Sequence, residues 1–309
     1  MSLSINSINT ELVEAIAAEL AVDASLVEKD WYAIQIIAAI SEVKYSTMQL
    51  VFSGGTSLSK GYQLIQRFSE DIDFKVSNAQ NYKRDDFRNY RVLIIEAIRR
   101  SSGNWSLYEE DIKSENGSRF FKCEITYQHL FAASASLRPN IRLEVTFEPP
   151  ALSFEKRTLK SFVAQAQDQE PEVISIPCVS PVETAADKLS ALVWRVAARD
   201  RQSGKDDPTF VRHLHDLVAL EKIIHQSNQF TSLARKCLSK DAKRDKKSGT
   251  GELPDIQRFQ LMLEKLINDP LYEKEYARFV LGMSYAEDNE RPDFQTSLQV
   301  VSRLITLFQ

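Results

Sequence analysis

The sequence predicts an α+β fold, with strands and helices mixed in the first half and a mostly α-helical C-terminal domain. Three observations carry this. Four short stretches read as strands, three of them alternating apolar and polar residues with the period of a strand. Apolar residues at helical spacing frame and separate those stretches. From Glu183 onward the strand period is gone and the text is almost all helical in character. The chain has 309 residues, 43% hydrophobic and 27% charged, which suits a globular protein and excludes a fibre or a disordered chain. That length admits two ordinary domains.

Taken in order, Leu12, Ile16 and Leu20 recur at helical spacing, and a second helical run covers Ser25 to Ile40. Gln49 to Ser53 reads as a strand. Gly54-Gly55 follows, then a helix with Leu58, Tyr62 and Ile65 on one face. Asp71 to Val76 alternates cleanly, so it is predicted to be a strand. Asp85 to Arg100 is predicted to be a helix, and Phe120 to Tyr127 and Ile141 to Phe147 to be half-buried strands. After Pro149-Pro150 the composition shifts, and Pro171, Pro177 and Pro181 suggest a loop-rich connection. A soft domain boundary therefore falls in 150–180. We draw it at 165/166, giving an N-terminal domain of 1–165 and a helical one of 166–309. Arg235 to Lys247 carries seven Lys/Arg against two Asp, and is expected to be a mobile basic loop or a nucleic-acid contact.

Several classes drop out. No run approaches the ~20 apolar residues of a membrane span. The N-terminus has neither the basic nor the long apolar region of a secretory signal. Cys123, Cys178 and Cys237 are far apart and odd in number, with no zinc spacing. A reduced, cytoplasmic setting is the expectation. The net charge of -4 offers no bulk positive field, so RNA would need a local patch. No HExxH, GxSxG or Walker motif occurs.

The chemistry concentrates in residues 52–74, FSGGTSLSKGYQLIQRFSEDIDF. A strand ends in two glycines, Thr56 and Ser57 follow, and a helix begins. Glycines let a backbone approach a phosphate closely, and a helix N-terminus with hydroxyls suits an anion. Asp71 and Asp73 stand at i and i+2 on a strand and so share a face, where they would hold hard divalent cations. Each piece alone is commonplace: a turn, or a solvated strand edge. The ordered combination is not.

This stretch resembles the first motif of the DNA polymerase β-like nucleotidyltransferases, and more narrowly the AbiEii/AbiGii toxin family that includes the MenT-type toxins. Glu28-Lys29-Asp30-Trp31 resembles that family's EKDW segment. Lys188 in ADKLSAL resembles its later lysine motif, and Arg212 with Asp216 in RHLHDL its last motif. The motifs span about 190 of the 309 residues in the right order.

The resemblance implies a nucleotidyltransferase core, a mixed β-sheet with flanking helices, followed by the helical domain, with the active site in the cleft between the two. It implies a metal site of Asp71, Asp73 and a third carboxylate, either Glu144 in IRLEVTF or Glu124 in KCEITY, with Glu144 preferred. Two Mg²⁺ ions, or Mn²⁺ in their place, would assist an in-line nucleotidyl transfer. Gly54, Gly55, Thr56 and Ser57 would cradle the β- and γ-phosphates of an NTP. Lys60 would either reach the triphosphate or be solvated, and Arg67 would either touch ligand or brace the loop by pairing with Glu70. Lys188 would neutralise phosphate charge, oriented by Asp216. The simpler alternatives are a solvated lysine and an Arg212–Asp216 helix pair. The implied function is a toxin of a toxin–antitoxin or abortive-infection system that transfers NMP to an RNA acceptor, the tRNA 3′ end, with a cognate antitoxin as partner and no membrane. A protein-NMPylating enzyme and a non-catalytic nucleotide-binding module are the alternatives.

Overall fold

A computed structural model describes residues 8–309 apart from 102, 133, 135, 136, 205 and 244–248. The chain divides into two compact units, Met1–Val179 and Ser180–Gln309.

The first unit opens with α1 (Thr10–Glu19), capped by the Asn9 side chain, and α2 (Ala24–Ile40), capped by Asp23. β1 (Lys44–Tyr45) and β2 (Met48–Ser53) follow. A short helix α3 (Gly54–Thr56) continues as a π-helical turn over Ser57–Gly61. Next come β3 (Asp71–Val76), α4 (Arg84–Arg100), β4 (Trp105–Ser106), β5 (Ile112–Glu115), β6 (Phe120–Tyr127) and β7 (Ile141–Thr146). β8 (Glu155–Leu159), α5 (Phe162–Ala166) and β9 (Val173–Cys178) close the unit.

The strands form one mixed sheet in the order β4-β6-β7-β3-β2-β9-β8, with β1 added to β2 and β5 to β6. β3 runs parallel to β7 and antiparallel to β2, and β2 runs parallel to β9. Ile72, Phe74 and Val76 of β3 and Ile141, Leu143 and Val145 of β7 are buried on one face. On that face Phe87 of α4 packs against Phe147, and Tyr32 of α2 against Tyr127 at the end of β6. α2 is buried along most of its length, as a helix covered on several sides must be. Alternation turns Asp71, Asp73, Arg142 and Glu144 to the other face.

Two expectations change here. The helix after Gly54-Gly55 ends at Gly61, because Gln63 adopts a left-handed φ of 54° that a helix cannot continue. And 150–180 is no loop-rich connection but holds β8, α5 and β9. β8 is a polar edge strand without alternation, which hides it. Pro177 costs β9 little, since the ladder to β2 uses Phe52↔Cys178 and the Val179 N–H.

The second unit is helical: α6 (Pro181–Ala198, with Pro181 in its first turn), α7 (Arg212–Gln226), α8 (Phe230–Ala242), α9 (Asp255–Asn268), α10 (Leu271–Met283) and α11 (Phe294–Thr306). α6 packs on α7, α8 and α9, and α11 on α7. Leu189, Leu192 and Val196 of α6 and Leu217, Leu220 and Ile224 of α7 fill the core between them. Of the basic stretch, Arg235 lies on α8 and donates to the Phe308 carbonyl at 2.9 Å, while 244–247 lie outside the described residues. Among the described residues no helix is long and apolar enough to cross a membrane.

Candidate active site

The site grows from the turn that leaves β2. Ser53 is paired with Asp73 across the β2–β3 ladder, so the chain must turn directly against the Asp73 side chain. Gly54 makes this turn at φ +74°. A Cβ there would stand 2.0 Å from Asp73 Oδ2, so any other residue would push the Asp73 carboxylate aside as well as strain the turn. A Cβ on Gly55 would meet Ser69 Oγ at 2.7 Å and an Arg67 guanidinium nitrogen at 2.9 Å. The two glycines thus make room for Asp73, Ser69 and Arg67 on their own chain. Thr56 donates its hydroxyl to the Asp71 carbonyl at 2.5 Å, tying the turn to the start of β3. Ser57 is buried against the Cys178 thiol. Both hydroxyls face inward, which leaves the backbone N–H groups of this turn as its donors toward an anion.

β3 and β7 then bring the carboxylates together. In their parallel register Asp73 lies opposite Glu144, and Asp71 opposite Arg142. Glu124, one strand further out, is held by Arg142 at 3.1 Å, and this salt bridge keeps its carboxyl below the ordinary range despite some burial. Glu144 behaves in the opposite way. Burial first, and then the Asp71 charge, raise its carboxyl above the usual value, and Arg142, Lys122 and Arg138 offset only part of this. Among the described residues no three such groups close around one point as a finished metal cage. The donor set nevertheless suits a hard divalent cation, with oxygen ligands on one face whose mutual repulsion a cation would relieve.

A buried ionic layer braces the turn. Lys60 sits 2.7 Å from Asp30 and 3.4 Å from the centroid of the Phe162 ring. Asp30 also accepts the Phe162 N–H at 2.9 Å. Neighbouring Glu28 accepts the Leu130 N–H at 2.7 Å, and Lys29 pairs with Glu70 at 3.0 Å. Arg67, 2% exposed, donates to the Phe68 carbonyl. The EKDW segment and the RFSED segment are therefore two halves of one interior network.

In the second unit, Lys188 of α6 and Asp216 of α7 form an ion pair of 2.5 Å, with Asp216 fully buried. Arg212 does not pair with Asp216. It bonds Thr209 at 2.5 Å and lies 3.7 Å from Asp207. His213 is buried with neither ring nitrogen hydrogen-bonded. Burial and the charges of Lys188, Arg212 and Arg195 push its pKa well down, so the ring is neutral.

A family profile described as "Nucleotidyl transferase AbiEii toxin, Type IV TA system" matches residues 36–300. The chain belongs to this AbiEii family. The fold agrees: MenT4, a nucleotidyltransferase toxin of Mycobacterium tuberculosis, superposes with a TM-score of 0.53 at 17% identity, over 98% of this chain and 100% of that one. No curated protein matches the sequence. As an AbiEii protein the chain is a nucleotidyltransferase and the toxin of a type IV toxin–antitoxin system, which implies an NTP substrate and a cognate antitoxin.

The AbiEii motifs thus occupy two places: the glycine turn and the carboxylates in the first unit, the Lys188–Asp216 pair in the second. Sequence reasoning missed Arg138, whose guanidinium lies 2.5 Å from Asp71 Oδ1. It sits in an aperiodic loop between β6 and β7. The only signal was an arginine just before a strand that carries a candidate ligand.

Proposed function

We propose that this AbiEii chain transfers NMP from an NTP to an RNA acceptor, the 3′ end of tRNA. The observation that carries the reading is the register of β3 and β7, which sets Asp71, Asp73 and Glu144 on one sheet face. There they would hold two Mg²⁺ ions, which when bound neutralise charge on the attacking and leaving oxygens. The chain's own residues do the rest. The backbone N–H groups of the Gly54-Gly55 turn would receive the triphosphate, and the two glycines leave Asp73, Ser69 and Arg67 their places beside it. Lys188, paired with Asp216, is the second unit's candidate for neutralising phosphate charge. The acceptor hydroxyl oxygen bonds to the α-phosphorus as the bond to the bridging oxygen breaks. Pyrophosphate leaves, and the hydroxyl proton departs by way of the carboxylate face.

The test is a labelling assay with Mg²⁺, total tRNA and each of the four α-³²P NTPs, with Asp73→Ala as control. Label in tRNA that disappears in the variant is the expected result and names the base. Label in a protein band would replace RNA by a protein acceptor. No label with any NTP would leave a nucleotide-binding module.

A further inference from the structure

Arg138 is held in an unusual way for a loop residue. Its N–H donates to Glu70 Oε2 at 2.8 Å, and its carbonyl accepts from Lys29 Nζ at 2.7 Å. Lys29 and Glu70 are themselves an ion pair of 3.0 Å with side chains only 4% and 14% exposed. One buried pair thus grips both sides of a single peptide position. The result is to fix a guanidinium on Asp71 Oδ1 at 2.5 Å, with its Nε 4.0 Å from Glu70 Oε1.

We propose that Arg138 is a positioning residue: a tethered cation that holds Asp71 until the metal and nucleotide arrive, and then passes to the nucleotide's phosphates. This rests on the reading of Asp71 as a metal ligand. Three physical points support it. A guanidinium occupying one oxygen of a ligand carboxylate opposes a second cation both by competition and by like charge. Its planar fork of five donors suits phosphate oxygens as well as it suits a carboxylate. And its side chain remains 32% exposed, so a phosphate arriving from solvent can reach the guanidinium where it holds Asp71. Metal and nucleotide then bind interdependently, because the nucleotide removes the cation that the metal must displace.

The test is a Mn²⁺ titration of the full chain by electron paramagnetic resonance, with and without a pool of the four α,β-methylene nucleoside triphosphates. The wild type is expected to bind Mn²⁺ weakly alone and much more tightly with the analogues. Arg138→Gln is expected to bind Mn²⁺ alone about tenfold more tightly, with the analogues adding less. Arg138→Lys, which keeps the charge and loses the fork, is expected to bind Mn²⁺ alone as weakly as the wild type, with the analogues adding less. A melting curve checks that each variant is folded. Unchanged or weaker Mn²⁺ binding in Arg138→Gln overturns the proposal. If that result is accompanied by loss of binding in Asp71→Asn, the metal reading survives and only the role of Arg138 falls. No Mn²⁺ binding by the wild type under either condition overturns both.

Discussion

At the scale of single residues, the glycine turn shows how a motif can be found for one reason and needed for another. Gly-Gly is legible as a special position, and phosphate approach is the obvious explanation. The geometry adds a constraint inside the chain, since the Cβ missing from Gly54 leaves the space that Asp73 Oδ2 fills. Gly54→Ala should therefore displace Asp73 and strain the left-handed turn, costing about 1–2 kcal/mol of stability and most of the transfer activity. Denaturant unfolding and the tRNA-labelling assay check the two halves. Glu144 makes a second prediction with a definite sign. Its carboxyl is raised above the ordinary 4.5, so the folded chain binds that proton more tightly than the unfolded one. Ionising it costs stability as pH rises from 4.5 through the raised value, and the cost is fully present above that. Glu144→Gln should stabilise the metal-free protein at neutral pH while abolishing transfer. Melting across a pH series should show the gain vanish below 4.5. A gain that persists there would trace to packing.

At the scale of elements, β3 and β7 were legible because one face of each is apolar and the other is not, and that alternation alone turns Asp71, Asp73 and Glu144 the same way. β8 and β9 were not: an edge strand reading EKRTL fully buries only Leu159 and so shows no alternation, and proline near a strand end reads as a break. Arg138 was illegible for a different reason. Its place depends on partners 109 and 68 residues away, Lys29 and Glu70, and nothing local in the chain encodes that. Lys60 is the instructive case among the motif residues. Its ammonium faces Asp30 across a buried gap, and burial pulls the lysine pKa down while pushing that of Asp30 up. A buried pair broken on one side leaves an uncompensated charge, so Lys60→Met alone should cost about 3–5 kcal/mol. Asp30→Leu with Lys60→Met should recover much of that, short of full recovery because the Phe162 N–H loses its acceptor. A double-mutant cycle by urea unfolding measures the coupling. Little stability change in Lys60→Met, with a raised KM for NTP, would return the lysine to the triphosphate.

At the scale of the whole molecule, the two compact units divide the motifs between them. Residues 1–179 carry the glycine turn and carboxylates on a sheet with its own apolar face, and 180–309 carry Lys188 and Asp216 in a helical core. A chain ending at Val179 should therefore melt in one cooperative transition by circular dichroism yet transfer no label to tRNA. A fragment that still labels tRNA would remove Lys188 and Asp216 from the reaction. One feature of the first unit also supplies a clock. The Cys178 thiol is buried beside Ser57, and the empty Cβ position of Gly61 lies 3.2 Å from its sulfur. Burial raises its pKa to about 11, so in the closed state it is both shielded and protonated. A thiol reagent can reach it only when the turn opens. The rate of alkylation at Cys178, read by peptide mass apart from the partly exposed Cys237, therefore counts openings of the glycine turn, and a nucleotide seated on that turn should slow the count in proportion to how often the site is filled.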